Sequence, residues 1–463
     1  MMIFKKLLLS IALIGAFGCS SFSFNKSTTP EKKAKAATKA DSSKETDNTK
    51  EENIKPLPEK AAAGNIAKQE PAKKTDTVNM NANARKVYND AVNLGANGKI
   101  AEAEKGFKQT IKLDKKAWQP HYNLGVVSER QGKDVQAVKY YNEALKLSPG
   151  NSLVVTALSK ILIRTGKINE SLKITREAVA INSKDIDLIC ALANALIADK
   201  KYDDAIVEAK KAIKIDERSA EAMLTIAKAN FKMGRVELSK SVLDQVVKIN
   251  PELSESYFLM GLIELNKDNK LAAINKFEEA VAKNPYYVEA LNNLAVQYIL
   301  AGNYIQAVEK LNMAIAVSPS WALLHLNLGN ALRGAGKWTK ALASLNKAYK
   351  LDPDLKGALF DLGILYYTAD DLGKLDRLAR LTKAKEYFAR YNNEAGSKNP
   401  NKEEADKYLK ELNVLVEREN TRIEREKEAA KREAERAAQK TDSTNSDNGS
   451  GDDEGFEEDE GFE

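Results

Sequence analysis

Large, small and polar positions recur along most of this chain with a period of 34 residues. With Trp118 taken as position 1, position 7 is nearly always large and apolar, positions 8 and 20 are small, and position 24 is mostly large. Position 8 carries Ala91, Gly125, Ser159, Ala193, Ala227, Gly261, Ala295, Gly329 and Gly363. The modules begin at residues 84, 118, 152, 186, 220, 254, 288, 322 and 356. Such repetition predicts a stack of similar units that share one core.

Each module has room for two antiparallel helices, helix A over roughly positions 1–14 and helix B over roughly positions 15–28. The small residue at position 8 predicts that helix B crosses there, with position 20 as its partner. Position 15 is often glycine, which predicts left-handed backbone just past the end of helix A. Position 32 is often proline, which separates one module from the next. Two helices cannot bury both apolar faces alone, so neighbouring modules must supply the core.

In its period and in these small, large and proline positions, the chain resembles the tetratricopeptide repeat (TPR) family over residues 84–389. The resemblance implies an all-α fold. It would be a right-handed superhelical solenoid of about nine helix-turn-helix repeats with a C-terminal capping helix. Because the family serves as a scaffold in many unrelated assemblies, the resemblance specifies the fold far better than the function.

The last module departs from the period. Ala384 and Phe388 stand nine residues later than the register requires, which indicates a longer helix B or a short helix before it. Residues 390–440 predict a capping and charged helix, because an apolar stripe gives way to Glu, Lys, Arg and Ala. A coiled coil is the weaker alternative, since no apolar heptad continues. Residues 441–463 predict an acidic, disordered tail.

The N-terminus has the pattern of an export signal, with two lysines followed by an apolar run that ends at Phe17. The run is too short for the ~20 residues of a spanning helix. The following Gly-Cys resembles a bacterial lipobox, which implies removal of a signal peptide, residues 1–19, and lipid attachment to Cys19. An ordinary cleaved signal that releases a soluble protein is the alternative. Residues 20–83 predict a disordered linker, so we expect a lipid-anchored protein of the bacterial cell envelope, on the periplasmic side rather than the cell surface.

Residues suited to catalysis are scarce. The chain has two histidines, His121 and His325, and two cysteines, Cys19 and Cys190. With Cys19 lipidated no intramolecular disulfide is possible, and Cys190 is interpreted as a packing residue. The sequence contains no zinc-type ligand cluster and no phosphate-loop pattern, so we expect no metal, no cofactor and no enzyme activity. Export argues against nucleic acid as a partner, despite a formal net charge of +6.

The resemblance implies that helix A lines a concave groove, with positions 2, 5, 6, 9, 12 and 13 directed inward. Asparagine recurs at position 6 as Asn89, Asn123, Asn293 and Asn327, and at position 9 as Asn194 and Asn330. Side-chain amides both donate and accept hydrogen bonds, so a row of them could bind the backbone of an extended peptide. This resembles the asparagine ladders of some TPR proteins. The alternative is that the amides only solvate the groove.

A second set of inward positions is basic and consists of Arg130, Lys160, Arg164, Lys228 and Lys232. These residues predict a groove stretch that attracts acidic segments of client proteins, and an ordinary solvated face is the alternative. The chain's own acidic tail is a candidate competitor for the groove. Further groove contacts are predicted for Phe231, Phe258, Phe360 and Tyr367.

These features favour a non-enzymatic protein–protein interaction scaffold. The chain would be an envelope lipoprotein whose TPR groove binds peptide segments of partner proteins during envelope assembly or secretion. The alternative is a surface-exposed structural lipoprotein that associates with itself.

Overall fold

The computed structural model describes residues 80–373, 375–396 and 401–446. Within these ranges the chain forms nineteen helices and no strand. In chain order they are α1 (Ala82–Ala96), α2 (Ile100–Leu113), α3 (Gln119–Arg130), α4 (Asp134–Leu147), α5 (Ser152–Arg164), α6 (Ile168–Ile181), α7 (Ile186–Ala198), α8 (Tyr202–Ile215), α9 (Ala220–Lys232), α10 (Val236–Ile249), α11 (Ser254–Asn266), α12 (Lys270–Lys283), α13 (Val288–Ala301), α14 (Tyr304–Val317), α15 (Ala322–Gly334), α16 (Trp338–Leu351), α17 (Gly357–Thr368), α18 (Arg377–Ala395) and α19 (Lys402–Ser446). The predicted all-α repeat fold is confirmed.

The helices belong to two compact units, Met1–Ala335 and Gly336–Glu463. In the described part of the first unit, α1 to α14 form pairs 1 to 7, each with an odd-numbered helix A and an even-numbered helix B. Helix α15 follows pair 7. The second unit contains α16 to α19.

In pairs 2 and 6, where position 8 is glycine, an aromatic ring of helix B lies directly against that glycine. A Cβ atom on Gly261 of α11 would lie 2.5 Å from Cε1 of Phe277 in α12. One on Gly125 of α3 would lie 2.5 Å from Cε1 of Tyr141 in α4. Both rings are fully buried. Glycine at position 8 therefore makes room for an aromatic ring at position 24, and not only for the small residue at position 20.

The predicted contact between positions 8 and 20 appears in pairs whose position 24 is not aromatic. The hydroxyl oxygens of Ser159 and Ser171 lie 2.8 Å apart in pair 3. In pair 5, Ser239 donates a hydrogen bond of 2.8 Å to the carbonyl oxygen of Ala227. These serines are buried, so the bonds satisfy hydroxyl groups that would otherwise be costly at the crossing.

The turn between helices A and B is closed by a residue in left-handed backbone conformation, as predicted. In the first unit, glycine takes this place with φ between 70° and 83° at Gly98, Gly132, Gly166, Gly234 and Gly302. Lys200 (φ 62°) and Asp268 (φ 59°) hold the same position in pairs 4 and 6. A side chain in this region costs about 1–2 kcal/mol, so these two turns are strained.

In the second unit, aromatic rings join α17, α18 and α19. The ring centroids of Phe360 and Phe388 lie 5.4 Å apart, and Phe388 stacks on Tyr408 at 4.9 Å with an interplanar angle of 10°. Helix α18 has 19 residues and is the longer helix B that the late Ala384–Phe388 spacing predicted.

Helix α19 covers this unit with its first half only. Leu412 is fully buried, and Glu419 is 5% exposed and lies 2.7 Å from Arg422. Beyond Ile423 the side chains are exposed as far as residue 437. The helix runs on to Ser446, six residues into the predicted tail.

Several predicted segments fall outside the described residues: the signal peptide 1–19 with Cys19, residues 20–79 of the linker, and residues 447–463 of the tail. Helix α1 begins at Ala82, so the last two residues of the predicted linker, 82 and 83, are helical. Among the described helices, none combines the length and the apolar character needed to cross a membrane.

Candidate functional site

Charged side chains of the A helices converge on one face of the first unit. We call it the inner face and define it by Glu129, Arg130, Lys160, Arg164, Lys228, Lys232, Glu255 and Glu289. They belong to α3, α5, α9, α11 and α13. Their positions in the module are 2, 9, 12 and 13, which the resemblance to the TPR family assigns to the concave side.

Arg164, the last residue of α5, joins pairs 2 and 3. Its guanidinium donates to Oε1 of Glu129 at 2.8 Å and to Oδ1 of Asp134 at 2.9 Å. Tyr141 donates its hydroxyl hydrogen to Oε2 of Glu129 at 2.9 Å. Burial opposes the charge on Arg164, but the two carboxylates outweigh it and raise the pKa of the guanidinium. Arg164 is thus held in place by carboxylates of its own chain.

Lys228 of α9 joins pairs 5 and 6. It is only 7% exposed, and its Nζ lies 2.7 Å from Oε1 of Glu255 in α11. Burial would raise the pKa of Glu255, but Lys228 and the more weakly acting Lys160 lower it. A buried ammonium group depends on its partner, because removing the carboxylate would leave an uncompensated charge.

Pairs 2 and 3 face pair 7 across the inner face. Glu289 of α13 contributes to the raised pKa of Arg164. Burial lowers the pKa of Arg130, and Tyr286, two residues before α13, acts in the opposite direction. Both effects act between residues of pairs 2 and 3 and residues at the start of pair 7.

Pair 2 and the link after pair 7 also come into direct contact. A Cβ atom on Gly132, in the turn between α3 and α4, would lie 2.4 Å from Oγ of Ser320, in the link between α14 and α15. We call the contact of Gly132 with Ser320 the seam. It shows that the stack of pairs in this unit curves until pair 2 and the end of pair 7 touch.

The predicted basic stretch is therefore not an open patch. Arg164 and Lys228 are neutralised by neighbouring carboxylates, and burial lowers the pKa of Lys232 as it does that of Arg130. Lys160 is exposed and forms no ion pair with any described residue. The predicted basic stretch was based on the cations of the repeat register alone.

The acidic members of the inner face were missed, although a signal for them was present. Glu129 stands at position 12, and Glu255 and Glu289 stand at position 2. The resemblance to the TPR family assigns both positions to the concave side. Reading both signs of charge in the same register would have identified them. Their pairing with particular cations could not have been read, because it depends on the curvature of the stack.

Three of the six predicted groove asparagines are buried: Asn293 (2% exposed), Asn327 (1%) and Asn330 (4%). Asn327 donates to Oδ1 of Asn292 at 2.8 Å, and Asn293 donates to the carbonyl oxygen of Glu289 at 2.8 Å. The Asn327 amide links α15 to α13, whereas the Asn293 amide bonds within its own helix, and none of the three asparagines is presented to solvent.

The other three asparagines lie apart from them. Asn89 is exposed. Asn123 is half-buried and donates to the hydroxyl oxygen of Tyr88 at 2.8 Å, and Asn194 is half-buried and donates to the carbonyl oxygen of Cys190 at 2.9 Å. The structure does not bring the six amides into one open row.

Two of the predicted apolar groove contacts belong to the core instead. Phe258 is 3% exposed and its ring lies 5.7 Å from that of Phe277, and Phe360 is 2% exposed. Position 5 packs against helix B when it is aromatic, because the ring fills the space between the two helices. Phe231 and Tyr367 are half-buried.

The remaining reactive groups are shielded. Burial raises the pKa of the Cys190 thiol to about 12, which leaves it a poor nucleophile. Burial lowers the pKa of His121, and Nε2 of His325 lies 2.8 Å from the carbonyl oxygen of Pro319. In the part of the chain that the structure describes, no cluster of three or more His, Cys, Asp or Glu side chains could hold a metal ion.

Four family models match within the chain. Three are described as tetratricopeptide repeats, at residues 88–152, 196–260 and 276–309, and one as a TPR repeat, at residues 329–369. No curated protein matches the sequence significantly.

Solved structures with a similar arrangement of helices include the APC/C hetero-tetramer Cut9–Hcn1, at 13% identity, with 71% of this chain and 76% of that chain covered and a TM-score of 0.47. A thermophilic TPR protein of Thermus thermophilus matches at 18% identity, with 40% and 100% covered and a TM-score of 0.36. The MamA protein matches at 24% identity, with 36% and 92% covered and a TM-score of 0.30.

Proposed function

Because the chain belongs to the tetratricopeptide repeat family, we propose that it is a non-enzymatic scaffold that binds segments of partner proteins on its inner face. The observation that carries the proposal is the convergence of charged side chains from five A helices on that face. Arg164 and Lys228 are each oriented by carboxylates of a neighbouring pair. Oriented groups on rigid helices lose little conformational entropy when a partner binds.

The internal ion pairs limit what the inner face can bind. A uniformly acidic segment would have to displace Glu129 from Arg164, or Glu255 from Lys228. Either displacement leaves a carboxylate without its partner, which costs free energy. An extended polar segment with both signs of charge avoids this loss. We therefore favour mixed-charge segments over the acidic clients predicted from the sequence, and the acidic tail 441–463 becomes a weaker competitor.

We also propose that the protein works at a bacterial membrane, in envelope assembly or secretion. The support is the sequence around Cys19 and the polar character of residues 20–83. A random coil of that length has a root-mean-square span of roughly 40–50 Å. Lipid on Cys19 would thus hold the repeats near the membrane and still let them reach partners.

Photocrosslinking tests the inner face as the binding site. A photoreactive amino acid replaces Lys160 on α5 in one variant and Lys173 on α6 in the matched control, both being exposed lysines of pair 3. We expect discrete protein adducts in native envelopes from position 160 and not from position 173. Identical adducts from both positions, or none from either, would refute the proposal. Deleting residues 441–463 in the same experiment tests the tail, since a competing tail predicts stronger adducts.

The membrane anchor is tested by Cys19→Ser. If lipid on this residue holds the protein, labelled fatty acid is incorporated into the wild type only, and the variant leaves the membrane fraction. Proteinase treatment of intact cells distinguishes the alternative of a surface protein, because only an exposed solenoid would be degraded.

A further inference from the structure

One helix of the second unit differs in charge from the other helices in the B position of the repeat. Helix α16 contains three lysines, Lys340, Lys347 and Lys350, and directly follows a fourth, Lys337. The sequence has no acidic residue between Lys337 and Leu351. Each of the other B helices, which are α2, α4, α6, α8, α10, α12, α14 and α18, contains acidic and basic residues together. We call Lys337, Lys340, Lys347 and Lys350 the lysine stripe.

The lysine stripe occupies one side of α16. At 3.6 residues per turn its positions fall within about 140° around the helix, and Lys340 and Lys350 lie about 15 Å apart along the axis. Lys340, Lys347 and Lys350 are exposed, and so are Ala343 and Asn346, which stand between them in the sequence. The stripe therefore presents a row of ammonium groups to solvent, separated by small or uncharged side chains.

Within the described part of the chain, no carboxylate forms an ion pair with the lysine stripe, whereas each of the other B helices or its capping residue takes part in at least one ion pair. Helix α18 lies beside α16, since Arg390 donates to the hydroxyl oxygen of Tyr349 at 3.0 Å. Its Glu394 is bound instead by Lys356 at 3.2 Å and by Arg390 at 3.4 Å. The stripe thus keeps its positive charge towards solvent, although like charges one turn apart weaken a helix slightly.

We propose that the lysine stripe binds the anionic head groups of a phospholipid membrane. A lysine ammonium group is a compact point charge without the planar fork by which arginine binds one phosphate or carboxylate, so a row of lysines suits many loosely arranged anions. Clusters of four or more basic residues on one helix are typical of proteins that bind anionic lipid, and each lysine at such a surface strengthens binding about fivefold. The opposite charges of the stripe and of such a surface supply the attraction.

This inference deepens the proposed membrane location, on which it rests. Fivefold per residue amounts to about 600-fold for four lysines, which holds a freely diffusing protein only weakly. A tether of residues 20–83, with a root-mean-square span of roughly 40–50 Å, keeps the protein close to the surface and raises the effective concentration of the stripe there. Lipid on Cys19 would therefore supply the attachment, and the stripe would fix which side of the second unit faces the membrane.

Partitioning of the full-length Cys19→Ser chain onto lipid vesicles tests the proposal, and its result does not depend on whether lipid on Cys19 anchors the protein. The measured quantity is the ratio of binding to phosphatidylcholine vesicles with and without phosphatidylglycerol, so that contributions of the N-terminal residues, which every variant shares, cancel. We expect this ratio to be well above one and to fall as salt rises. Lys340→Gln with Lys347→Gln and Lys350→Gln should lower the ratio at least tenfold, because about fivefold is lost per lysine.

The matched control replaces three exposed lysines of α8, a helix that also carries acidic residues: Lys210→Gln, Lys211→Gln and Lys214→Gln. It changes the net charge equally and should leave the ratio as in the Cys19→Ser chain without further substitutions. Circular dichroism confirms that both triple variants are folded. The proposal is overturned if the chain with an intact stripe does not prefer anionic vesicles, if the stripe variant keeps the same ratio, or if both triple variants lose binding equally.

Crosslinking of lysines to carboxylates decides between the membrane and the acidic residues 447–463 of the same chain as the occupant of the stripe. Crosslinks from the stripe to these residues should be absent, or should be lost when phosphatidylglycerol vesicles are added. Crosslinks that persist unchanged in the presence of the vesicles would assign the stripe to the acidic tail and refute lipid binding.

Discussion

The crossing of helices in pair 6 gives the sharpest prediction about how the fold is held together. In Gly261→Ala, the new methyl group would lie 2.5 Å from Cε1 and 2.6 Å from Cδ1 of Phe277. The ring is fully buried, so it cannot move aside into solvent. Alanine gains about 1 kcal/mol over glycine in helix propensity. Overpacking a buried site costs about 1–3 kcal/mol. These two effects leave a net loss in the range of roughly 0–2 kcal/mol, and we expect about 1 kcal/mol, whereas an uncrowded helical glycine would gain stability from the same change.

The repeat itself supplies the compensating change. Pair 5 combines Ala227 with Leu243, and pair 7 combines Ala295 with Leu311, at the positions of Gly261 and Phe277. Adding Phe277→Leu to Gly261→Ala therefore converts pair 6 to a combination that its neighbours already use. The double variant should be more stable than the sum of the two single changes, by a coupling energy of about 1–3 kcal/mol.

Urea denaturation of the four proteins in this cycle measures the coupling. Repeat proteins can unfold in parts, so hydrogen exchange of amides in α11 and α12 should be followed alongside the global transition. The expected loss of protection in Gly261→Ala is local to pair 6 and its neighbours. The reasoning fails if Gly261→Ala is as stable as the wild type, or if its effect is unchanged when residue 277 is leucine.

Three further predictions follow from the turns, the ion pairs and the buried thiol. Lys200→Gly should stabilise the protein by about 0.5–1 kcal/mol, seen as a higher urea midpoint, because it relieves a left-handed lysine at the cost of some chain entropy. Arg164→Met should destabilise it by about 0.5–1 kcal/mol at low salt and less at high salt, while Arg176→Met on α6 changes nothing measurable; equal effects would contradict the bridge between pairs 2 and 3. Burial raises the pKa of the Cys190 thiol in the folded protein to about 12. The buried neutral thiol therefore contributes fully to the free energy of unfolding below the pKa of the unfolded thiol. This contribution is lost as the pH rises from that value towards the folded pKa. Between pH 8 and 10 the wild type should therefore lose about 1 kcal/mol more unfolding free energy than Cys190→Ala, and parallel pH profiles would contradict this burial effect.

The repeat architecture could be predicted because its signals are local and periodic. Left-handed glycines such as Gly166 and Gly302 follow from turn geometry, and the late position of Phe388 revealed the longer α18. The tail boundary at residue 441 was harder to predict, because Thr, Asp and Ser near the end of α19 have weak helix preferences. Helix propensity alone does not decide where such a helix ends.

The inner face could be predicted only in part. The register singled out Arg164 and Lys228, but it presented each residue as a free cation. Their partners Glu129 and Glu255 come from neighbouring pairs, and a single module does not show which side chains of two modules will meet. The open row of asparagines could not be predicted reliably for a related reason. The side chain at position 6 is buried at Asn327 because the adjacent A helix covers it.

The amino-acid sequence by itself determined the helix pairs, their period and the glycine turns, since these depend on contacts within about one module. The tertiary structure alone decided that Gly132 meets Ser320 and that Glu289 of pair 7 acts on Arg164 of pair 3. The physical reason is that each pair adds a small rotation set by the packing of many side chains. Those rotations accumulate over five pairs before distant edges meet, so no local pattern records where they will touch.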